Sequence, residues 1–335
     1  MGARESHFRC ARVVVGAAVL VAAAAWLSLL VGTQPITPAD LVAALADPAA
    51  GSSAVVLHLR LPRTAAGLLA GAGLGLAGAV AQGLTRNPLA GPEVLGVNGG
   101  AAFAAVVAIS LVGVGPLGGY VWFCFAGAVL ALAAVLAIAT TGRGGATPVK
   151  IAMAGAAVSA LLFSLTSAIV LRNHDLFERF RFWLVGSLTR ADLPTVLQAT
   201  PFLAAGAVLA LALARPLDAA ALGDDTARSI GARPAVVRGL AVVAIVVLAG
   251  TATAVAGPVG FVGLVVPHAA RMLTGPAHVR VLPLSALLGA LVLLMADVAG
   301  RVVLRPEEVQ VGVTAAVLGA PVFLYLVRRR RVAWP

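Results

Sequence analysis

Residues 67–83 read GLLAGAGLGLAGAVAQG, a run with no charged side chain in which glycine or alanine returns every few positions. In membrane helices, small residues at intervals of three or four positions let two backbones approach closely. This segment therefore predicts a transmembrane helix that packs tightly against other spans. A role in lining a transport path is the secondary interpretation.

The composition of the whole chain agrees with a membrane location. Of its 335 residues 61% are hydrophobic and 11% are charged, whereas soluble domains carry about 25% charged residues. Its long apolar stretches can each cross a hydrocarbon core of about 30 Å, since a helix rises about 1.5 Å per residue. We therefore expect an all-α integral membrane protein, organised as one polytopic domain over residues 1–335.

The net charge of +11 does not indicate a nucleic-acid partner. A nucleic-acid binder concentrates its basic residues on a water-facing surface. Here the basic residues stand at the ends of apolar runs, where membrane lipid is the expected neighbour.

Ten membrane spans are predicted from the apolar runs. The first follows a basic start, as a secretory signal does, but its length favours an uncleaved helix. The eighth is short and follows Gly257-Pro258, which is typical of a broken or partly inserted helix. The predicted spans are 13–31, 64–85, 94–114, 116–140, 149–171, 193–214, 235–257, 259–273, 281–300 and 309–327.

The distribution of lysine and arginine predicts the orientation, because cytoplasmic loops retain positive charge. With the N-terminus inside, 16 of the 24 Lys and Arg residues fall on the cytoplasmic side. Both termini are then cytoplasmic, and so is the polar region 216–234 between spans six and seven.

This polar region contains ALGDDTARSIG, residues 221–231. Asp224 or Asp225 can cap the start of a helix, and Gly231 can supply the left-handed residue that ends it. The pattern predicts a short helix at the membrane surface whose form suits insertion into another protein. A solvated loop without a partner is the alternative.

The chain shows no energy source of its own. A phosphate-binding P-loop requires Gly-Lys-Ser/Thr, and the only lysine, Lys150, lies between Val149 and Ile151. Ion-coupled carriers place ionisable groups within the membrane, and inside the predicted spans only Asp297 qualifies. An i, i+4 ion pair with Arg301 explains it. Energy supplied by a partner is therefore favoured over a stand-alone ion-coupled carrier.

An embedded enzyme or a cofactor site is disfavoured by the scatter of reactive residues. The two cysteines, Cys10 and Cys124, support neither a disulfide framework nor a thiolate metal site. The histidines stand far apart, at 7, 58, 174, 268 and 278. We expect neither a catalytic residue nor a bound metal or cofactor.

Four motifs follow one another along nearly the whole chain: RNPLAGPEVLG (86–96), FWLVGSL (182–188), GFVGLVVPHAAR (260–271) and VGVTAAVLGAPVF (311–323). Together they resemble the FecCD family, the permeases of ATP-binding-cassette importers for ferric siderophores, haem and cobalamin. The resemblance implies a BtuC-like type II permease with ten transmembrane helices in a bacterial plasma membrane. It also implies a second copy or homologue, two ATP-binding subunits and an extracytoplasmic solute-binding protein.

The resemblance further assigns roles to individual residues. The ATPase-coupling residues are Leu222, Gly223, Asp224, Asp225, Ala227, Arg228 and Gly231. The residues that dock the binding protein are Arg60, Arg63 and Arg301, with interfacial anchoring as the alternative. The residues expected to line the path or pack helices together are Gln82, Asn87, Asn98, Trp183, Gly319 and Pro321.

One position departs from the family pattern: Gln310 stands where a proline is usual before the last span, so the start of that helix is expected to differ. A ferric siderophore is the expected substrate, with haem and cobalamin left open, because the binding protein does much of the selection.

Overall fold

The computed structural model describes the chain over residues 3–32, 36–47, 51, 53–113, 117–141, 147–172, 177, 183–189, 191–229, 231 and 233–328. Every regular element within these ranges is a helix. The helices are α1 (Ala3–Leu30), α2 (Pro38–Ala46), α3 (Ser53–Thr85), α4 (Val97–Val112), α5 (Leu117–Thr140), α6 (Pro148–Leu171), α7 (Leu193–Ala212), α8 (Ala214–Ala221), α9 (Asp224–Ser229), α10 (Pro234–Ala256), α11 (Val262–Thr274), α12 (His278–Val303) and α13 (Val311–Arg328), with one 3-10 turn at Trp183–Val185.

The chain is a multi-pass membrane protein. Within its described ranges, seven helices are long and apolar enough to cross a membrane, namely α1, α3, α5, α6, α7, α10 and α12. Two shorter apolar helices, α4 and α13, accompany them. Each predicted span overlaps one helix, and the predicted eighth span corresponds to the 13 residues of α11.

Helix α3 starts at Ser53, well before the predicted residue 64. The sequence RLPR carries two arginines and a proline, which in an apolar environment favour a helix boundary. In the structure the Arg60 guanidinium bonds to backbone carbonyls and Arg63 to carboxylates. Because both guanidinium groups are hydrogen-bonded within the protein, the helix passes through them, with a π-helical turn at Val56–Arg60.

The glycine-rich segment lies at the centre of the packed helices, as its spacing predicts. Helix α3 packs chiefly against α12 and α10. A Cβ built on Gly71 would overlap the carbonyl oxygen of Gly289, and one on Gly78 would overlap that of Gly263. Only glycine permits this backbone contact, so the packing interpretation of residues 67–83 is confirmed.

The predicted break at the eighth span is also present. Helix α10 ends at Ala256 and α11 begins at Val262, and between them Gly257 and Phe261 have φ values of +70° and +67°. The 3-10 turn beginning at Trp183 lies against this break, where the Ser187 N–H donates to the Ala256 carbonyl at 2.8 Å. The non-helical backbone is therefore held inside the protein, the only place where a membrane protein tolerates it.

Candidate functional site

The short helix predicted in the polar region is present as α9, and a second short helix, α8, precedes it. Helix α8 ends at Ala221, Gly223 turns the chain with a φ of +102°, and α9 runs over Asp224–Ser229. Gly231 has a φ of +83°, which confirms its predicted left-handed conformation. The left-handed conformation of Gly223 separates α8 from α9.

Helix α9 presents its charged side chains to solvent. Arg228 donates to Asp225 at 2.7 Å, and these side chains are 62% and 99% exposed. Leu222 is 63% exposed, whereas Ala227, a residue of α9 itself, is fully buried. The Asp224 side chain lies outside the described part of the chain. An exposed ion pair of this kind contributes little to stability, about 0–1 kcal/mol.

Two contacts that the sequence did not predict attach helix α8 to the membrane helices. Asp218 accepts hydrogen bonds from the His278 backbone N–H at 2.9 Å and from His278 Nδ1 at 2.6 Å. Arg86, at the end of α3, donates to the Ala220 carbonyl at 2.5 Å. These contacts connect α8 to the start of α12 and to the end of α3.

The environment of Asp218 favours its charged form. Burial by itself raises the Asp218 pKa, but the hydrogen bonds from the His278 side chain and backbone outweigh burial. The pKa consequently lies below the ordinary value for an aspartate. The carboxylate is thus ionised at neutral pH and holds the first residue of α12.

The three predicted docking arginines converge at the opposite end of α12. Asp297 accepts from Arg63 Nη2 at 2.8 Å and also pairs with Arg301, as the i, i+4 spacing predicts. Arg63 bonds to Glu308 as well, at 2.7 Å. We call the group Arg60, Arg63, Asp297, Arg301 and Glu308 the arginine cluster.

Two members of the arginine cluster are buried and bond to the end of α1. Arg60 Nη1 donates to the carbonyls of Leu29 and Leu30, each at 2.7 Å. Arg301 Nη1 donates to the Ser28 carbonyl at 2.7 Å. Arg301 is 1% exposed and Arg60 is 6% exposed. They satisfy carbonyls that a helix C-terminus leaves unpaired, while Arg63 remains the more accessible member at 13%.

The residues predicted to line a path or pack helices lie in different places. Gln82 is fully buried, donates to the Leu264 carbonyl at 3.0 Å and accepts from Arg271. Asn98 donates to the Val259 carbonyl at 3.2 Å, so both amides bridge a helix to the broken α10–α11 region. The remaining four are Asn87 in a turn where its side chain accepts from the Leu89 N–H, Trp183 in the 3-10 turn, and Gly319 and Pro321 on α13.

Comparison with known proteins agrees with this architecture. A model of the FecCD transport family matches residues 20–329. The ferric enterobactin transport system permease protein FepD of Escherichia coli is 44% identical over 319 residues, 95% of each chain. The Fe(3+)-citrate import system permease protein YfmD of Bacillus subtilis is 42% identical over 277 residues, 83% of this chain and 82% of that protein.

A solved structure shares the fold. An ABC transporter of metal-chelate type in an inward-facing conformation superposes with a TM-score of 0.80 and is 29% identical, covering 95% of this chain and 99% of that one. The family match extends over nearly all of the helices described above. The chain therefore belongs to the FecCD transport family and is a transmembrane permease subunit of an ABC transporter.

Proposed function

We propose that this permease moves a ferric chelate, of the siderophore or ferric citrate class, inward across the plasma membrane of a bacterium. The observation that carries the proposal is the 44% identity to a ferric enterobactin permease over 95% of both chains. A relative from Halobacterium salinarum, the cobalamin import system permease protein BtuC, is 39% identical over 284 residues, 83% of this chain and 74% of that protein. Cobalamin is therefore the second candidate substrate.

In this proposal residues 1–335 form one permease domain of the BtuC-like type II fold with ten transmembrane helices. The seven long apolar helices together with α4, α11 and α13 supply that number. A second copy or a homologue completes the transport path between two subunits. Both termini and the region 216–234 lie in the cytoplasm, in agreement with the distribution of Lys and Arg.

The region 216–234 is proposed to receive the two ATP-binding subunits. Leu222, Asp225 and Arg228 are exposed and can enter a partner, while Asp218 and Arg86 attach the region to α12 and α3. Closure of the ATPases then shifts the population between outward and inward openings, because they contact the two states differently.

The arginine cluster is proposed to receive the extracytoplasmic binding protein. Arg63 is the arginine best placed to meet an acidic partner, because it is the least buried of the three. Arg60 and Arg301 stabilise the surface from below through the carbonyls of α1. Docking of this kind depends on several weak contacts and should weaken as salt rises.

Uptake into proteoliposomes tests the proposal. The permease is reconstituted in proteoliposomes, either alone or with the ATP-binding subunits of its own host. The binding protein is added inside or outside the vesicles, and ferric enterobactin, ferric citrate or cobalamin is offered as the substrate. We expect ATP-dependent accumulation of a ferric chelate only in the complete complex. Accumulation by the permease alone, driven by an ion gradient, would establish the ion-coupled alternative instead. Transport of cobalamin without any ferric chelate would correct the substrate.

A further inference from the structure

A mainly apolar cavity of about 220 Å³, with a few polar side chains in its wall, opens beside α6, and its described lining includes no residue of the arginine cluster or of the region 216–234. Its walls come from the segment before α4, from α4 and α6, and from the break between α10 and α11. Its lining residues include Glu93, Asn98, Ser159, Phe163, Thr166 and Pro258.

Among the described residues that line this cavity, Glu93 alone is acidic. Both of its carboxylate oxygens are shielded from solvent, and neither has a hydrogen-bond partner among the described residues. The nearby backbone N–H groups of Glu93 and Phe261 favour the charged form of this carboxylate. By contrast, the buried Asp297 receives two arginines.

Gly91 leaves the space that the Glu93 carboxylate occupies. A Cβ on Gly91 would lie 2.7 Å from Glu93 Oε2, whereas one on Gly263 would make only an ordinary van der Waals contact with that oxygen, at 3.5 Å. A side chain at 91 would therefore push the carboxylate out of its position. The position of this acidic group is built into the local backbone.

Asn98 adds a third oxygen acceptor to the same cavity. Its Nδ2 donates to the Val259 carbonyl at 3.2 Å, which determines the orientation of the amide. The buried Oδ1 then lacks a donor within the described chain. The hydroxyl of Thr166 donates to the Leu162 carbonyl at 2.7 Å, so its oxygen is left as an acceptor.

The oxygen acceptors in the cavity wall indicate which kind of ligand the cavity suits. Buried polar atoms are almost always hydrogen-bonded, and a buried carboxylate that stays charged is strongly unfavourable unless a positive charge accompanies it. A small cation that carries N–H donors satisfies the charge of Glu93 and the oxygens together.

The cavity is accessible from the face of α6. Phe163 stands at its rim with 63% of its surface exposed, and Ser159 beside it is half-buried. We propose that Glu93 and Asn98 form a binding site for a small monovalent cation, either an ammonium group of the transported molecule or a free cation from water. The assignment to the transported molecule rests on the proposed transport function, whereas cation binding itself does not.

Equilibrium binding of radiolabelled methylammonium to the full-length permease in lipid nanodiscs tests the site. We expect saturable binding by the wild type, weakened about 30-fold in Glu93→Gln, the fold-change typical when a buried charge loses its partner. Glu307→Gln, at an exposed glutamate, serves as the matched control and should bind as the wild type does. No saturable binding by the wild type, or equal binding by Glu93→Gln, overturns the proposal.

Competition distinguishes the two sources of the cation. Displacement by Na⁺ or K⁺ at equal ionic strength identifies a free cation site, whereas resistance to both identifies an ammonium site. Displacement by tetramethylammonium, which has no N–H donor, to the same extent as by methylammonium overturns the role of the oxygen acceptors.

A second measurement decides the matter if Glu93→Gln does not fold. A hydrophobic carbodiimide is applied to the wild type, and modification of Glu93 is followed by peptide mass spectrometry. Slower modification in the presence of methylammonium supports the site, and an unchanged rate or no modification counts against it. Because these assays use the permease alone, their failure leaves the uptake experiment above unaffected.

Discussion

Arg63 and Asp297 are 234 residues apart in the chain, yet the guanidinium donates three hydrogen bonds to this one carboxylate, at 3.0, 3.1 and 2.8 Å. Arg63 belongs to α3 and Asp297 to α12, the two helices that pack most extensively against each other. Because Asp297 also pairs with Arg301, one carboxylate contacts two guanidinium groups at this end of the helix pair.

Asp297→Asn should destabilise the permease strongly. The substitution leaves Arg301, which is 1% exposed, without its charge partner, and breaking a buried ion pair costs about 3–5 kcal/mol. Denaturation of the purified protein in mixed micelles measures the loss. The matched control is Asp225→Asn, whose carboxylate is 99% exposed, and we expect it to unfold as the wild type does. Equal losses from both substitutions would contradict the role of the arginine cluster.

Gly78→Ala should also destabilise the fold. The new methyl group would overlap the carbonyl oxygen of Gly263, so α3 and α11 must separate, and overpacking of this kind costs about 1–3 kcal/mol. Gly16→Ala in α1 is the control, because a Cβ there meets no atom within 4 Å. The thermal midpoint should fall for the first variant and stay unchanged or rise slightly for the second. A fall of the same size in both would argue against close backbone packing at Gly78.

Gln82→Ala should lower stability by about 1–3 kcal/mol, the usual cost of leaving a buried polar group without its partner. The substitution removes the acceptor for Arg271 and the donor for the Leu264 carbonyl. Gln198→Ala, at an exposed glutamine on α7, is the comparison and should change stability little. The same denaturation assay decides whether the Gln82 amide supports the broken α10–α11 region.

Asp218→Asn should remove the dependence on acidic pH of the stability that the α8–α12 contact contributes. Since folding lowers the pKa of Asp218, its carboxylate stabilises the wild type fully above about 3.9, the ordinary aspartate value, and this stabilisation disappears as the pH falls through the lowered pKa. The thermal midpoints of wild type and variant should therefore differ between about pH 6 and 7. The difference should shrink below about pH 4. A constant difference throughout would show that ionisation of Asp218 does not matter.

The membrane helices could be predicted from sequence because the signal for them is local. A span needs only a sufficient length of apolar residues, and each predicted span overlaps a helix of the structure. The glycine spacing in residues 67–83 likewise predicted close packing, and the i, i+4 spacing predicted the Asp297–Arg301 pair. The family resemblance was also recognisable from the motifs, and the comparisons confirm it.

The sequence did not reveal which distant groups meet. The predicted start of α3 was wrong because RLPR is typical of a polar boundary, and only the fold shows that Arg60 donates hydrogen bonds to the carbonyls of α1. The Asp218–His278 contact joins residues 60 positions apart and carries no motif. Glu93 was overlooked because it lies in a connecting segment, outside every predicted span, although the fold buries its carboxylate.

The membrane setting, the family and the close packing of the glycine-rich helix could all be inferred from the sequence, since each depends on local patterns along the chain. Which charges are compensated became visible only in the fold: Asp297 receives two arginines, whereas the Glu93 carboxylate has no hydrogen-bond partner among the described residues. The physical reason is that the free energy of a charge depends on the groups packed around it, and these come from helices far apart in sequence.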